Sequence, residues 1–202
     1  MFFKCIEVGD ILTNCYIFGE KEVVIIDPGD DATRIESVVV ENNLVPSAIL
    51  LTHGHFDHIL GCHYLKQRFK IPIYAHEDEM VILQNPNYNL SYMVGNEVII
   101  NCDKYFKDGD ILEFGNLRLK VIHTPGHTPG SSCFLYENNI LFSGDTLFKD
   151  SFGRCDLPLG NEGQIFESIK NKLLILPKNV KVYPGHGIPT TIDEELKNFQ
   201  EK

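Results

Sequence analysis

No apolar run in these 202 residues approaches the length a helix needs to span a bilayer. Positive charge is also scarce. Eighteen Lys and Arg against 28 Asp and Glu leave a net charge of −10, which argues against a broad electrostatic grip on nucleic acid or on an anionic membrane. The opening MFFKCIEVGDILTNCYIFGE has no cationic segment followed by a long apolar stretch and a small-residue cleavage site, so no secretory signal is expected. The six cysteines (Cys5, Cys15, Cys62, Cys102, Cys133, Cys155) lack CxxC or framework spacing. They read as reduced thiols of a cytosolic protein, most of them serving as small core hydrophobes. There is no repeat, linker or low-complexity segment, and the length suits one domain over residues 1–202 with a substantial core.

The pattern along the chain is β-rich with helices interposed. Apolar stretches at Phe2–Val8, Asn14–Phe18 and Val23–Ile26 read as strands, the last ending at the turn Asp27-Pro28-Gly29. Ala32–Asn43 is helix-compatible, and Ser47–Leu51 is a strand running into Thr52-His53-Gly54-His55-Phe56-Asp57-His58. Apolar spacing then predicts a helix over Ile59–Phe69, a strand at Ile71–Tyr74 and a helix over His76–Leu83. The Asn- and Tyr-rich stretch Gln84–Asn96 reads as a long surface loop. Strands are expected at Ile111–Phe114, Leu117–His123, Ser131–Tyr136 and Ile140–Ser143, followed by a helix at Glu162–Leu174 and a strand at Val180–Tyr183. Two packed sheets with helices outside would satisfy this pattern, but strand order is not contained in it.

The chemistry concentrates in four short segments. His53, His55, Asp57 and His58 put four potential ligands into six residues, with His53 and His55 two apart and so on one side of an extended backbone. Gly54 between them reads as a tight turn that leaves room for ions. Three distant segments repeat one design, an apolar strand, a Gly turn and one ligand: Pro125-Gly126-His127, Ser143-Gly144-Asp145 and Pro184-Gly185-His186. Unpaired buried imidazoles and carboxylates are costly, so such a set implies cations. Seven ligands exceed what one tetrahedral zinc takes and suit two ions sharing a carboxylate. His63, His76 and His123 read as structural or solvated.

With these residues in view, the chain resembles the metallo-β-lactamase superfamily. The H-x-H-x-D-H signature is met by His53, His55, Asp57 and His58, and the later ligands by His127, Asp145 and His186. The resemblance implies an α/β (α+β) fold, a four-layer αββα sandwich with the metals at one edge between the sheets. It assigns His53, His55 and His127 to one metal and Asp57, His58 and His186 to the other, with Asp145 bridging. Asp57 is the expected catalytic residue, orienting a bridging hydroxide. Two divalent ions are expected, zinc first, with iron or manganese also compatible.

Within that superfamily, Gly144–Phe148 followed by Phe152–Pro158 resembles the glyoxalase II branch, which hydrolyses S-acylglutathione thioesters. A small-molecule thioester is therefore the expected substrate, with neither nucleic acid nor membrane as partner. The chain departs from the full-length type. It ends about fifteen residues after His186, so no C-terminal helical domain is expected; Gly187-Ile188 stand where that family has Glu-Tyr, and Arg154 and Asp156 replace a Lys and a Tyr. Arg154 either grips a substrate carboxylate or pairs with Asp156, and Tyr88, Tyr92 and Met93 either line a substrate entrance or pack on the surface. The competing function is a mononuclear-iron persulfide dioxygenase, whose Gly-Arg-x-Asp segment resembles Gly153–Asp156.

Overall fold

The structure, a computed structural model, describes residues 1–200. Alternating residues at the start of the chain form a hairpin, β1 (Phe2–Val8) and β2 (Thr13–Gly19), and β3 (Glu22–Ile26) pairs antiparallel with β2. Helix α1 (Ala32–Glu41) connects to β4 (Val45–Leu50), which lies parallel to β3. Helices α2 (Phe56–Ile59) and α3 (Cys62–Phe69) lead to β5 (Ile73–His76). A 3-10 turn over Glu77–Glu79, helix α4 (Met80–Leu83) and strand β6 (Lys104–Phe106) complete a six-stranded sheet in chain order.

The second sheet is built from β7 (Ile111–Phe114), β8 (Leu117–His123), β9 (Ser132–Tyr136) and β10 (Ile140–Gly144). A small hairpin, β11 (Leu147–Phe148) with β12 (Ser151–Phe152), and helix α5 (Glu162–Ser168) intervene before β13 (Lys181–Pro184), β14 (Thr190–Thr191) and helix α6 (Ile192–Gln200). The order is β14-β13-β10-β9-β8-β7, with β13 parallel to β10.

Strands buried on both faces explain the continuous apolar runs. In β3, Val24 and Ile26 face the core between the sheets with Phe18, Leu50, Phe134 and Phe142, while Val23 and Ile25 face outward. There they meet Ile35 and Val39 of α1 and Leu65 of α3. On the far side, Leu141 and Val182 pack under Ile165 and Ile192 from α5 and α6. This is the expected αββα sandwich. No helix among the described residues is long and apolar enough to cross a membrane.

Several boundaries differ from those expected. The helix expected over Ile59–Phe69 is two helices, because the chain steps at Gly61, whose N–H donates to Pro28 O at 2.8 Å. That contact seats the helix pair on the Asp27-Pro28-Gly29 turn. The helix from Glu162 loosens into a π turn over Ile169–Leu173. The strand expected at Ile71–Tyr74 lies two residues later, and His76–Leu83 is a 3-10 turn followed by one α turn. Strands β6, β11, β12 and β14 are two or three residues long and carry no periodicity to read. Helix α6 did carry a signal that was passed over. Thr191 and Glu194 have the Thr-x-x-Glu capping spacing, and Thr191 Oγ1 accepts the Glu194 N–H at 3.2 Å.

Candidate metal centre

Each ligand-bearing turn follows a strand: His53 to His58 after β4, His127 after β8, Asp145 after β10 and His186 after β13. Gly144 makes the turn into Asp145 with φ +50°, and a Cβ there would lie 2.3 Å from Thr52 Oγ1. Only glycine tolerates both that backbone and that approach. Gly54 answers to a different need from the one expected. The space beside it belongs to Leu83 of α4, 2.8 Å from where its Cβ would be, and not to ions.

The structure brings the seven residues together in two groups. His53, His55 and His127 are buried and offer ligand atoms to one point, and Asp57, His58 and His186 do so for a second. Asp145 faces both. Its Oδ2 lies 3.6 Å from His127 Nε2 and 3.6 Å from His186 Nε2, and its Oδ1 lies 3.4 Å from His58 Nε2. Asp57 Oδ2 is 3.1 Å from His186 Nε2 and accepts the Thr13 hydroxyl at 2.9 Å.

The hydrogen-bond network assigns the imidazole tautomers, and it turns lone pairs inward. His127 Nδ1 donates to Arg154 O at 2.7 Å, leaving Nε2 free to ligate. His58 Nδ1 meets Asp27 Oδ2 at 3.0 Å, leaving its Nε2 for the centre. Thr52 donates its hydroxyl to Asp27 Oδ2 at 2.6 Å, so its oxygen receives His53 Nδ1 at 3.2 Å. His53 Nε2 and Asp145 Oδ1 are then buried without a hydrogen bond, and His55 Nδ1 faces His127 Nε2 at 2.9 Å. Buried polar atoms are ordinarily satisfied. Converging lone pairs and carboxylate oxygens without partners fit divalent cations.

The two groups differ electrostatically. Burial pushes His53 and His127 below the usual histidine range and His55 down to about 3, so these three are neutral near pH 7. Burial opposes charge on His58 too, but Asp57, Asp145 and Asp27 outweigh it and hold His58 well above the usual range. His186 is likewise raised, against its burial, by Asp57 and Asp145. A metal entering the His53 group displaces no proton near pH 7, whereas one entering the His58 group must. Raising the pH through the elevated His58 and His186 values removes those protons and strengthens binding there. Metal titrations of the metal-free protein between about pH 6 and pH 8 should show one constant nearly flat and the other tightening by up to about tenfold per pH unit for each proton displaced. Equal slopes would refute the difference.

The remaining expected residues fall around this centre. Arg154 is exposed and makes two 2.7 Å hydrogen bonds to Asp156, the pairing alternative, while its carbonyl serves His127. A cavity of about 300 Å³ beside Asp57 is lined by Ile11, Phe56, Leu60 and, from the Asn-rich loop, Val94 and Asn96. Tyr92 is exposed and Tyr88 half-buried on that loop. His76 and His123 stack at 3.8 Å with planes 11° apart beside Asp78, and His123 Nε2 donates to Pro129 O at 2.8 Å. Parallel rings cannot both aim a nitrogen at one ion, so this group is structural. His63 is exposed and meets Ile99 O at 3.0 Å.

Sequence reasoning missed Asp27, Thr13 and Glu79. Asp27 had a signal, since it ends the apolar run Val23–Ile26 just before Pro-Gly, the design shared by the ligand turns. Thr13 and Glu79 had none.

Residues 8–186 match the family described as the metallo-beta-lactamase superfamily. Among curated proteins, the hydroxyacylglutathione hydrolase GloC of Haemophilus influenzae is 34% identical, covering 98% of this chain and 96% of its own length. Among solved structures, the BLEG-1 B3 metallo-beta-lactamase is 40% identical with a TM-score of 0.92, covering 97% of each chain. TTHA1623, solved in a di-iron-bound form, is 33% identical with a TM-score of 0.87, covering 96% of this chain and 98% of that one.

Proposed function

The chain belongs to the metallo-beta-lactamase superfamily, and from that premise we propose that it is a binuclear metal-dependent hydrolase acting on small-molecule thioesters. The observation that carries the binuclear part is Asp145, whose two oxygens face both ligand groups at 3.4 to 3.6 Å. The similarity to GloC supports the thioester part. Zinc is our first assignment, and the di-iron TTHA1623 makes iron the second.

Bound there, two divalent cations would lower the pKa of a bound water toward neutrality and polarise the substrate carbonyl. The protein's own contribution is placement. Thr13 donates its hydroxyl to Asp57 Oδ2 and so restrains the carboxylate in an orientation from which it would align the attacking water. Asp27 and the Arg154 carbonyl keep His58 and His127 in the ligating tautomer. Because Asp156 already occupies the Arg154 guanidinium, a glutathione carboxylate finds no free cation there, and the thiol carrier need not be glutathione.

The likeness to BLEG-1 makes β-lactam hydrolysis a second reading, and a single-iron persulfide dioxygenase is the third. Hydrolysis of S-lactoylglutathione and of thioesters on uncharged thiols should be measured alongside a chromogenic cephalosporin, with metals quantified on the same sample. The expected result is thioester turnover with close to two ions bound, lost with chelator and reduced at least a hundredfold in Asp57→Ala. Cephalosporin opening without thioester turnover would move the assignment to β-lactams. One bound iron with oxygen uptake on a persulfide would overturn hydrolysis altogether.

A further inference from the structure

Two buried carboxylates stand behind the centre without belonging to it, and they serve different loops. Asp27 backs His53 and His58. The other, Glu79, is fully buried in the 3-10 turn ahead of α4. Its Oε1 accepts the Gly54 N–H at 2.7 Å, and its Oε2 accepts the Gly130 N–H and the Thr128 hydroxyl, each at 2.8 Å. Gly54 lies between His53 and His55, and Thr128 follows His127. One side chain therefore joins the two loops that carry all three histidines of the first group; of the second group, Asp57 and His58 lie further along the first of these loops and His186 lies in neither.

The fit is close. A Cβ on Gly130 would lie 2.4 Å from Glu79 N and 2.7 Å from Oε2. Burial pushes the Glu79 carboxyl up to about 7, against the Thr128, Gly54 and Gly130 donors that pull it down. All three partners donate, so a carboxylate satisfies them and an amide cannot. His55 depends most on this arrangement. His127 is held by Arg154 O and His53 by Thr52, whereas His55 Nδ1 turns to His127 and its Nε2 has no partner. The position of His55 thus comes from its backbone, which the Gly54 bond to Glu79 holds on one side and the Phe56 N–H bond to Asn89 O on the other.

We propose that Glu79 is a positioning residue that clamps the 53–55 loop to the 127–130 loop and so sets the metal affinity of the His53–His55–His127 group more strongly than that of the other group. The proposal rests on the reading that both groups hold ions. It also explains why α4 exists at this point in the chain: Leu83 fills the space beside Gly54 from the same short segment that supplies the carboxylate.

Glu79→Gln preserves shape and turns an amide N–H toward donors. Metal-free wild type and variant should be titrated with Zn²⁺ against a chromophoric chelator, and with Co²⁺ to read the two coordination spectra. The expected result is one ion at the wild-type constant and one weakened roughly 10- to 100-fold, with loss of one set of Co²⁺ bands. Glu195→Gln is the control for losing a buried carboxylate elsewhere. Glu195 is fully buried and accepts from Thr190 and from Asp150 N, so its loss should lower the melting temperature and leave both constants unchanged. Two wild-type constants in Glu79→Gln, or both weakened equally, would overturn the clamp. Should Glu79→Gln fail to fold, Thr128→Val removes one donor and should show a smaller loss at the same ion only; no selective loss there would overturn the clamp as well. A wild-type protein that binds no ion would overturn the metal reading and the clamp with it, whereas two ions in wild type isolate any failure to Glu79.

Discussion

Asp145→Ala is expected to lose both ions and to slow hydrolysis by several kcal/mol of transition-state stabilisation, roughly a thousandfold or more. The reason is geometric. Among the described residues Asp145 is the one carboxylate within 3.6 Å of histidines from both groups, and its charge is stabilised, against its burial, chiefly by His58 and then by His127 and His186. Removing it leaves no carboxylate shared by the two groups, so two cations placed there repel with no anion common to both. Asp57→Ala makes the contrast, because Asp57 belongs to one group, and that variant should keep the ion at His53, His55 and His127. Metal analysis of the two variants beside wild type checks the assignment. Full occupancy in Asp145→Ala would refute the bridging role.

The second large effect is expected at Asp27, and its two substitutions should separate stability from metal binding. Asp27 is buried and accepts from Thr52 N at 2.8 Å, from Thr52 Oγ1 at 2.6 Å and from His58 Nδ1 at 3.0 Å. Asp27→Ala strands those donors, at about 3–5 kcal/mol for a broken buried charge pair. It also forces alanine into φ +50°, which Asp and Asn tolerate better. A fall in melting temperature on the order of 10 °C should follow. Asp27→Asn keeps the backbone and one oxygen, so it should melt within a few degrees of wild type. Its amide, however, donates to His58 Nδ1 and moves the ring proton to Nε2, where the ion must bind. We expect the His58 group to lose affinity roughly 10- to 100-fold while the fold stands. Metal titration and thermal melting on both variants decide it, and an Asp27→Asn protein with two wild-type constants would sink the tautomer argument.

The contrast between Asp27 and the ligands shows what was legible in the sequence. His53, His55, Asp57, His58, His127, Asp145 and His186 could be read because each is an ionisable residue beside a glycine or inside a dense motif, directly after an apolar run. Glu79 could not, since its partners lie 25, 49 and 51 residues away and nothing local marks it. Gly54 was misread for the same reason, its neighbour Leu83 being distant in sequence. Strands with two buried faces announced themselves, as Val23–Ile26 does, while the two-residue β11, β12 and β14 did not. Strand order was not legible, because pairing depends on long-range contacts that periodicity does not encode.

The division of the ligands between the sheets has a consequence for synthesis on the ribosome. His53 and His55 emerge early but must await His127, and Asp57 and His58 must await His186, 128 residues after His58. Asn14 Nδ2 donates to Pro184 O and Gly187 O, and Thr13 bridges to His186, so the first hairpin also waits for the last ligand turn. Such non-local closure is slow and comes late. Between residues 58 and 127 a growing chain holds four of these side chains without being able to complete either group. A chain that stops before His186 would keep the three histidines of the first group and lack both the second group and the bonds by which Thr13 and Asn14 join the first hairpin to that turn.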